Sequence, residues 1–298
     1  MFTADGDIDE TLTAAHWRWL IDQGVDGLVI AGTSGEFIAM ENDERRRLFA
    51  LAHDVSAGRV PIVAGTGHYS TRFTIELSLD AQRHGADAVI VILPYYQRPS
   101  KAAVLRHFRE VRAAIDVPLM LYNNPVNSAC VDFSPVDVAA LVDDDVVHLV
   151  KATYASVEPV HDLRLLCGDR LGIFYGSFIA GYEALAGGAH GWISGLLNIV
   201  PVAALALHDA AVVRRDMPDA WRIWTRLLPL VHLYTHQQIG PVSDLAIYRA
   251  ILDEWGRAGG HSRAPFYPLD AGQRDRLRSC LARCGWTDPA AGLEAVTA

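Results

Sequence analysis

Residues Ala88–Leu93 read AVIVIL, an unbroken apolar run, and runs of this kind recur along the chain. A strand that is buried on both faces of a sheet has such a composition, whereas a strand with one solvated face alternates apolar and polar residues. The other runs of this type are Gly27–Ile30, Val60–Ala64, Pro118–Tyr122, Val146–Val150, Leu171–Tyr175 and Gly191–Ser194. Together they predict seven parallel strands.

Segments with helical periodicity separate these runs. They include Glu41–Val55, Thr71–His84 and Lys101–Ala114. Strands and helices that alternate at the spacing of one βα unit predict a (β/α)8 barrel. After about Pro201 the apolar runs cease and only helical patterns continue. We therefore expect a barrel catalytic region over residues 1–215 and a C-terminal helical extension, packed on the barrel, over residues 216–298.

The predicted barrel lacks its first strand, because a closed barrel needs eight strands and only seven runs are present. The opening residues, MFTADGDIDE, look like a loop that leads into a helix over His16–Gln23. We expect the missing strand to lie upstream of Met1. The alternative is a barrel that is open at its first strand.

The composition excludes several classes of protein. The chain has 298 residues, a formal net charge of −9, and 51% hydrophobic and 20% charged residues, which is typical of a globular protein. No basic surplus is present to neutralise phosphates, so we expect no nucleic-acid partner. No apolar run is long enough to cross a membrane. Four scattered cysteines and the lack of a hydrophobic leader favour a cytoplasmic protein.

Lysine is rare in this chain, since only Lys101 and Lys151 occur among the 26 basic residues. Lys101 opens a polar helical segment and is interpreted as a solvated surface charge. Lys151 closes an apolar strand, where burial disfavours the ammonium form. A neutral amine attacks a carbonyl, and the resulting iminium accepts the electrons of a breaking carbon–carbon bond without a metal. The alternative is a lysine that reaches solvent or pairs with an acid.

Hydroxyl groups, glycines and this one amine converge on one face of the predicted barrel. Chemistry in such barrels gathers where the strands end, in the loops that follow them. The strand ends are Gly32–Glu36, Gly65–His68, Pro94–Tyr96, Tyr122–Pro125, Lys151, Gly176–Ser177 and Ser194–Gly195. They bring together neither a carboxylate pair nor a metal-ligand cluster, so we expect no metal and no cofactor.

Tyr122 is the candidate acid and base for this chemistry, because Schiff-base formation needs a group that donates and accepts protons. Thr33 and Tyr96 are candidates to relay the proton. Ser34 lies in a glycine-flanked loop whose amides and hydroxyl suit a small carboxylate. Alternatively, the tyrosine is a core aromatic and the loop is simply a tight turn.

Several motifs, in order from Asp5 onward, resemble the dihydrodipicolinate synthase/N-acetylneuraminate lyase family of class I, pyruvate-type aldolases. Gly32–Glu36 is similar to the family's Gly-Thr-Thr-Gly-Glu loop, and Pro94–Tyr96 to its Pro-Tyr-Tyr segment. Tyr122–Pro125 is similar to the Tyr-Asn-x-Pro motif. Lys151, followed by Ala152-Thr153, resembles the family's Schiff-base lysine.

The resemblance implies catalytic roles for four of these residues. Lys151 would form the Schiff base with pyruvate or another 2-oxo acid, and Tyr122 would be the acid and base. Thr33 and Tyr96 would continue the relay, with Tyr96 reaching into the site of a neighbouring subunit. The resemblance thus implies a small-molecule 2-oxo acid as the partner and a homo-oligomer, either a dimer or a tetramer.

It also implies a set of substrate-binding positions. Ser34 and the backbone of the loop through Gly35 would hold the carboxylate, and Gly176 and Ile193 would line the keto-acid pocket. Asn127 occupies the position of an arginine that holds the second substrate in the synthases. An amide lacks the charged fork that suits a carboxylate. This departure argues against the synthase reaction, unless Arg98 or another arginine takes that place.

The leading hypothesis is therefore an aldolase or lyase that acts on a 2-oxo acid and retains pyruvate. A 2-keto-3-deoxy sugar acid or a sialic-acid-like compound would be the substrate. Two other reactions remain open: dehydration of a 2-keto-3-deoxy sugar acid, and the 4-hydroxy-tetrahydrodipicolinate synthase reaction. A further alternative is a non-catalytic homologue.

Overall fold

The computed structural model describes residues 1–129, 133–154 and 156–289. The chain divides into two compact units. The barrel unit consists of Asp26–Ile193, and the terminal unit consists of Met1–Val25 together with the chain from Ser194 onwards. These bounds differ from the boundary expected between residues 215 and 216, which stays a prediction.

The barrel unit contains one sheet of seven parallel strands in the order of the sequence. The strands are β1 (Leu28–Ile30), β2 (Ile62–Gly65), β3 (Ala88–Ile92), β4 (Leu119–Asn123), β5 (Leu149–Ala152), β6 (Gly172–Tyr175) and β7 (Gly191–Trp192). All residues of β3 and β4 are buried, as their continuous apolar runs predict. The described residues thus supply seven strands of a (β/α)8 barrel, and the predicted fold class is confirmed.

Helices connect consecutive strands of this sheet. They are α2 (Asn42–Ser56), α3 (Thr71–Arg83), α4 (Lys101–Ala114), α5 (Pro135–Asp143), α6 (Glu158–Cys167) and α7 (Gly181–Ala186). Their ends carry local signals: Glu41 and Glu44 form a capping box at the start of α2, and Ser134 and Asp137 form one at the start of α5. These caps fix where each helix begins and hence how long the preceding strand-end loop is.

The terminal unit is helical. It contains α1 (Glu10–Asp22), α8 (Pro201–His208), α9 (Met217–Thr235), α10 (Asp244–Glu254) and α11 (Ala271–Cys284), with a π-helical turn at Asp209–Val213. The C-terminal helices expected from the sequence are therefore present. The start of α1 was predicted wrongly at His16. The helix begins at Glu10 because the Asp9 carboxylate caps it by accepting the amide of Leu12 at 2.8 Å.

No helix within the described part of the chain is both long enough and apolar enough to span a bilayer.

His16 predicts how the stability of the protein depends on pH. Its side chain in α1 is 8% exposed, and burial lowers its pKa from 6.5 to about 4, although a contact with Asn198 opposes the shift. The unfolded chain then binds the proton more readily, so this contribution to stability is complete above pH 6.5 and is lost as the pH falls towards 4. We expect the His16→Gln variant to lose less stability over this range, by at most about 3 kcal/mol.

Urea unfolding of both proteins at pH 7 and pH 5 measures this difference. His53→Gln, at an exposed position of α2, is the control and should follow the wild type. An equally steep decline in His16→Gln and in the wild type would contradict the assignment.

Candidate active site

A cavity that is open to solvent lies at the carboxyl ends of the barrel strands. Its walls come from β1 to β5, from the loops that follow β1 and β2, and from α2. The lining residues are Val29, Ala31, Gly32, Thr33, Phe37, Arg45, Gly65, Gly67, Ile90, Ile92, Tyr122 and Lys151. The structure therefore brings Lys151, Tyr122 and Thr33 together, as the strand-end argument predicted.

Lys151 is held within β5 and is only 8% exposed. It lies opposite Tyr122 of β4 in the parallel register, and its Nζ is 4.3 Å from the centroid of the Tyr122 ring. This placement differs from that of Lys101, whose side chain is 48% exposed and whose Nζ is 2.8 Å from an Asp137 carboxylate oxygen. The chain's two lysines thus have opposite environments, one on the surface and one within the cavity.

Gly176, at the end of β6, leaves room for the lysine side chain. A Cβ atom at this position would lie 2.8 Å from Cε and 2.9 Å from Cγ of Lys151, and it would overlap the hydroxyl oxygen of Thr153. Real Cβ atoms do not approach other atoms so closely. The absence of a side chain at residue 176 is therefore a condition for the observed position of Lys151.

The hydroxyl of Tyr122 lies in a network of hydrogen bonds. The side-chain amide of Asn124 donates to its oxygen at 2.9 Å, and the Thr33 hydroxyl donates at 3.5 Å. Burial by itself raises the pKa of this phenol, but the charge of Lys151 and the donors Thr33 and Asn124 outweigh it, so the pKa lies below its usual value. Tyr122 is therefore suited to exchange a proton near Lys151.

The loop Gly32–Glu36 forms a tight helical turn next to these groups. The amide of Gly35 donates to the Gly32 carbonyl at 3.0 Å, and the amide of Glu36 donates to the Thr33 carbonyl at 2.9 Å. These bonds orient the turn from within. The Ser34 side chain is partly exposed beside the cavity wall, but Ser34 and Gly35 are not among the residues that line the cavity.

Arg45 is a buried member of the cavity wall that the sequence analysis missed. Its side chain is 2% exposed and donates to the backbone carbonyls of Gly67, at 3.1 Å, and Gly65. Burial lowers its pKa to about 10, so it remains a cation at neutral pH. The sequence does contain an indication of this burial, because Arg45 lies three residues before Leu48 on the apolar face of α2, where an arginine is unexpected.

Three further predicted positions are also absent from the cavity lining. Tyr96 is 86% exposed, and Asn127 is exposed in the turn after β4. Ile193 is partly buried, and its amide donates to the Tyr175 carbonyl at 2.9 Å. None of the three lines the described cavity. Their roles remain predictions.

Over residues 1–129, 133–154 and 156–289, no group of three or more His, Cys, Asp or Glu side chains is arranged to hold a metal ion.

Residues 1–283 match the sequence profile described as the dihydrodipicolinate synthetase family. The chain belongs to this family. A 4-hydroxy-tetrahydrodipicolinate synthase of Pelobacter propionicus is 33% identical over 94% of both chains. A protein of the same name from Rhodospirillum centenum is 34% identical over 94% of both chains. Membership identifies the protein as a lyase of the carbon–carbon aldolase type, which confirms the enzyme class predicted from the motifs.

Solved structures of family members agree with this assignment. A putative dihydrodipicolinate synthetase from Pseudomonas aeruginosa is 30% identical, with a TM-score of 0.88 over 95% of this chain and 96% of that one. A prophage protein of Escherichia coli that belongs to the dihydrodipicolinic acid synthase family was solved in complex with pyruvate. It is 31% identical, with a TM-score of 0.86 over 95% of both chains.

The contact between Gly176 and Lys151 leads to a prediction. In Gly176→Ala the added methyl group would push the lysine side chain from its place above the Tyr122 ring. We expect the rate at which Lys151 reacts with a 2-oxo acid to fall by at least ~10-fold, since small displacements of a reacting group cost this much or more. Borohydride trapping over time, followed by intact-protein mass spectrometry, measures the rate.

Gly272→Ala is the control, because an added methyl group there meets nothing closer than 3.4 Å. A Gly176→Ala variant that is folded and reacts at the wild-type rate would show that the lysine does not need this space.

Proposed function

We propose that this protein is a Schiff-base-forming aldolase that cleaves or forms a 2-oxo acid and retains pyruvate on Lys151. The observation that carries the proposal is the burial of this lysine in a cavity, with its amine 4.3 Å from the ring centroid of Tyr122. The pyruvate complex of the Escherichia coli family member supports the choice of substrate class.

The first step joins the enzyme to its substrate. The neutral Nζ of Lys151 attacks the ketone carbon, and the carbonyl oxygen takes up a proton to give a carbinolamine. This oxygen then leaves as water, with a second proton, while the nitrogen lone pair forms the carbon–nitrogen double bond. Tyr122 supplies and recovers these protons, and the Thr33 hydroxyl at 3.5 Å extends the path towards the turn after β1.

The second step breaks the carbon–carbon bond between C3 and C4 of the bound 2-oxo acid. Its electron pair moves into the iminium, which becomes a neutral enamine. Tyr122 takes the proton of the C4 hydroxyl, and that fragment leaves as an aldehyde. Protonation of the enamine at C3 and addition of water then release pyruvate and the free amine, so that lysine and tyrosine return to their starting states.

The carboxylate of the 2-oxo acid would bind at the turn after β1. In this proposal the Ser34 hydroxyl and the amides of residues 33–35 face the carboxylate. Because the amide of Gly35 already donates to Gly32, the hydroxyl and amide of Ser34 and the amide of Thr33 would provide most of the binding. The buried cation of Arg45 in the same cavity wall also favours an anionic substrate.

The identity of the second fragment depends on the turn after β4. Asn127 is exposed there and offers an amide rather than a charged group. A hydroxylated aldehyde, such as the one released from a 2-keto-3-deoxy sugar acid or a sialic-acid-like compound, suits an amide. The names of the curated relatives favour the synthase reaction instead, and this is the second candidate. Dehydration of a 2-keto-3-deoxy sugar acid would use the same lysine.

Tyr96 connects this proposal to the oligomeric state. Tyr96, in the loop after β3, is 86% exposed and does not line the cavity of its own chain, but in a homo-oligomer it would extend the relay of a neighbouring subunit. Exposed apolar side chains at Ile38 and Val126, also in strand-end loops, are consistent with such an interface. A dimer or tetramer remains our prediction.

Trapping tests the central claim of the proposal. Incubation with pyruvate and sodium borohydride should reduce the imine and label one peptide, the one that contains Lys151. Lys151→Arg should abolish the label, because a guanidinium does not form an imine. Lys101→Arg removes the other lysine and should leave labelling unchanged. A label on Lys101, or no label on a folded wild-type protein, would reject the proposal.

A panel of substrates separates the candidate reactions. We expect pyruvate and an aldehyde to be released from 2-keto-3-deoxy sugar acids or from sialic acids, and a lactate dehydrogenase coupled assay measures this release. Loss of the substrate without pyruvate release, at equal Lys151 labelling, would indicate the dehydratase. Consumption of pyruvate only with a carboxylate-bearing aldehyde would indicate the synthase. No turnover in any arm, with Lys151 unlabelled, would favour a non-catalytic homologue.

A further inference from the structure

Asn124 is the third residue of the Tyr-Asn-Asn-Pro motif that ends β4, and it is buried, with 3% of its surface exposed. Its side-chain oxygen accepts the backbone amide of Asn127 at 3.3 Å, and its side-chain nitrogen donates to the hydroxyl oxygen of Tyr122 at 2.9 Å. The two contacts fix the orientation of the amide. A backbone N–H can only donate, so the oxygen must face residue 127 and the NH2 group must face the phenol.

This orientation limits what Tyr122 can do with its proton. An amide N–H has no free lone pair and cannot take up the phenol proton, so the tyrosine oxygen is always an acceptor towards Asn124. The proton of Tyr122 must therefore be exchanged on another side, towards Thr33, towards Thr153 or towards a ligand in the cavity. Without the amide, the phenol could rotate its proton away from the cavity.

We propose that Asn124 is a positioning residue, whose amide holds the oxygen of Tyr122 as an acceptor and thereby directs its proton exchange into the cavity. The inference rests on the proposed function, because it assumes that Tyr122 acts on a substrate bound to Lys151. The side chain of Asn124 also connects the turn at Asn127 to Tyr122.

The groups around Tyr122 determine how its pKa changes when the Asn124 donor is removed. Two basic side chains line the same cavity, Lys151 from β5 and Arg45 from α2. Thr33, from the loop after β1, and Thr153, after β5, add neutral hydroxyls. A hydrogen bond to the phenol oxygen is stronger when the oxygen is an anion, so Asn124 stabilises the phenolate. Its loss should raise the pKa of Tyr122 while both basic side chains remain in place.

The test is the pH dependence of imine formation with pyruvate, measured by borohydride quenching at increasing times. In Asn124→Leu, which keeps the branched shape of the side chain but has no donor, we expect the limb that rises with pH to move up by about one pH unit, because Tyr122 must lose its proton before it can recover one from the attacking amine. The rate near pH 7 should fall ~10-fold with little change in the pyruvate concentration for half-maximal rate, because the donor acts on the proton transfer and not on the carboxylate.

Asn124→Asp is a second variant of nearly the same shape. Its carboxylate can still accept the amide of Asn127, but it places an acceptor against the phenol oxygen. We expect its pH limb to move further in the same direction. Asn42→Leu, at the first position of α2, is the control for loss of an asparagine elsewhere and should keep the wild-type profile.

A Tyr122→Phe background separates positioning from structural damage. In this background the Asn124 amide has no phenol oxygen to bind, so Asn124→Leu removes no hydrogen bond to residue 122. It should therefore not slow the residual imine formation any further. Equal slowing in both backgrounds would overturn the proposal, as would wild-type pH limbs in both folded Asn124 variants. If the wild-type protein forms no imine with pyruvate, it is the proposed function that fails.

Discussion

The alignment of Tyr122 with Lys151 across strands β4 and β5 is the constraint on which the site depends. Both residues are paired in register within a parallel sheet, so the backbone sets the distance between the phenol ring and the amine. The strands themselves are buried along nearly their whole length. Lys151 is only 8% exposed and lines the cavity, so its amine is directed into the cavity rather than towards solvent.

Other residues of the cavity wall preserve this arrangement, some because they lack a side chain and one because its side chain binds the backbone. Gly176 provides the volume that the lysine side chain occupies. At the end of β2, a Cβ atom on Gly65 would lie 2.8 Å from the carbonyl carbon of Ala31, so the ends of β1 and β2 can approach only without a side chain there. Arg45 donates to the carbonyls of Gly65 and Gly67 and so connects α2 to the end of β2.

Family membership and the individual residues answer different questions about this protein. The family match and the fold establish a lyase of the aldolase type, and the arrangement of Lys151 and Tyr122 is consistent with it. In the turn after β4, Asn124 and Asn127 are linked by a hydrogen bond, and Asn124 also binds Tyr122 while Asn127 is exposed. In the function that we propose, this turn would therefore affect both the choice of the second substrate and proton transfer.

The sequence by itself determined the seven strands, the barrel class and the placement of Lys151, Tyr122 and Thr33 at one edge, because apolar runs and strand ends are local properties of the chain. It did not determine the start of α1, since a single capping aspartate outweighed the apolar periodicity. Only the tertiary structure decided that Arg45 is buried in the cavity wall and that Asn124 binds the tyrosine. Both facts depend on which strands and helices are neighbours in space. A residue's type and its local spacing in the sequence do not specify those neighbours.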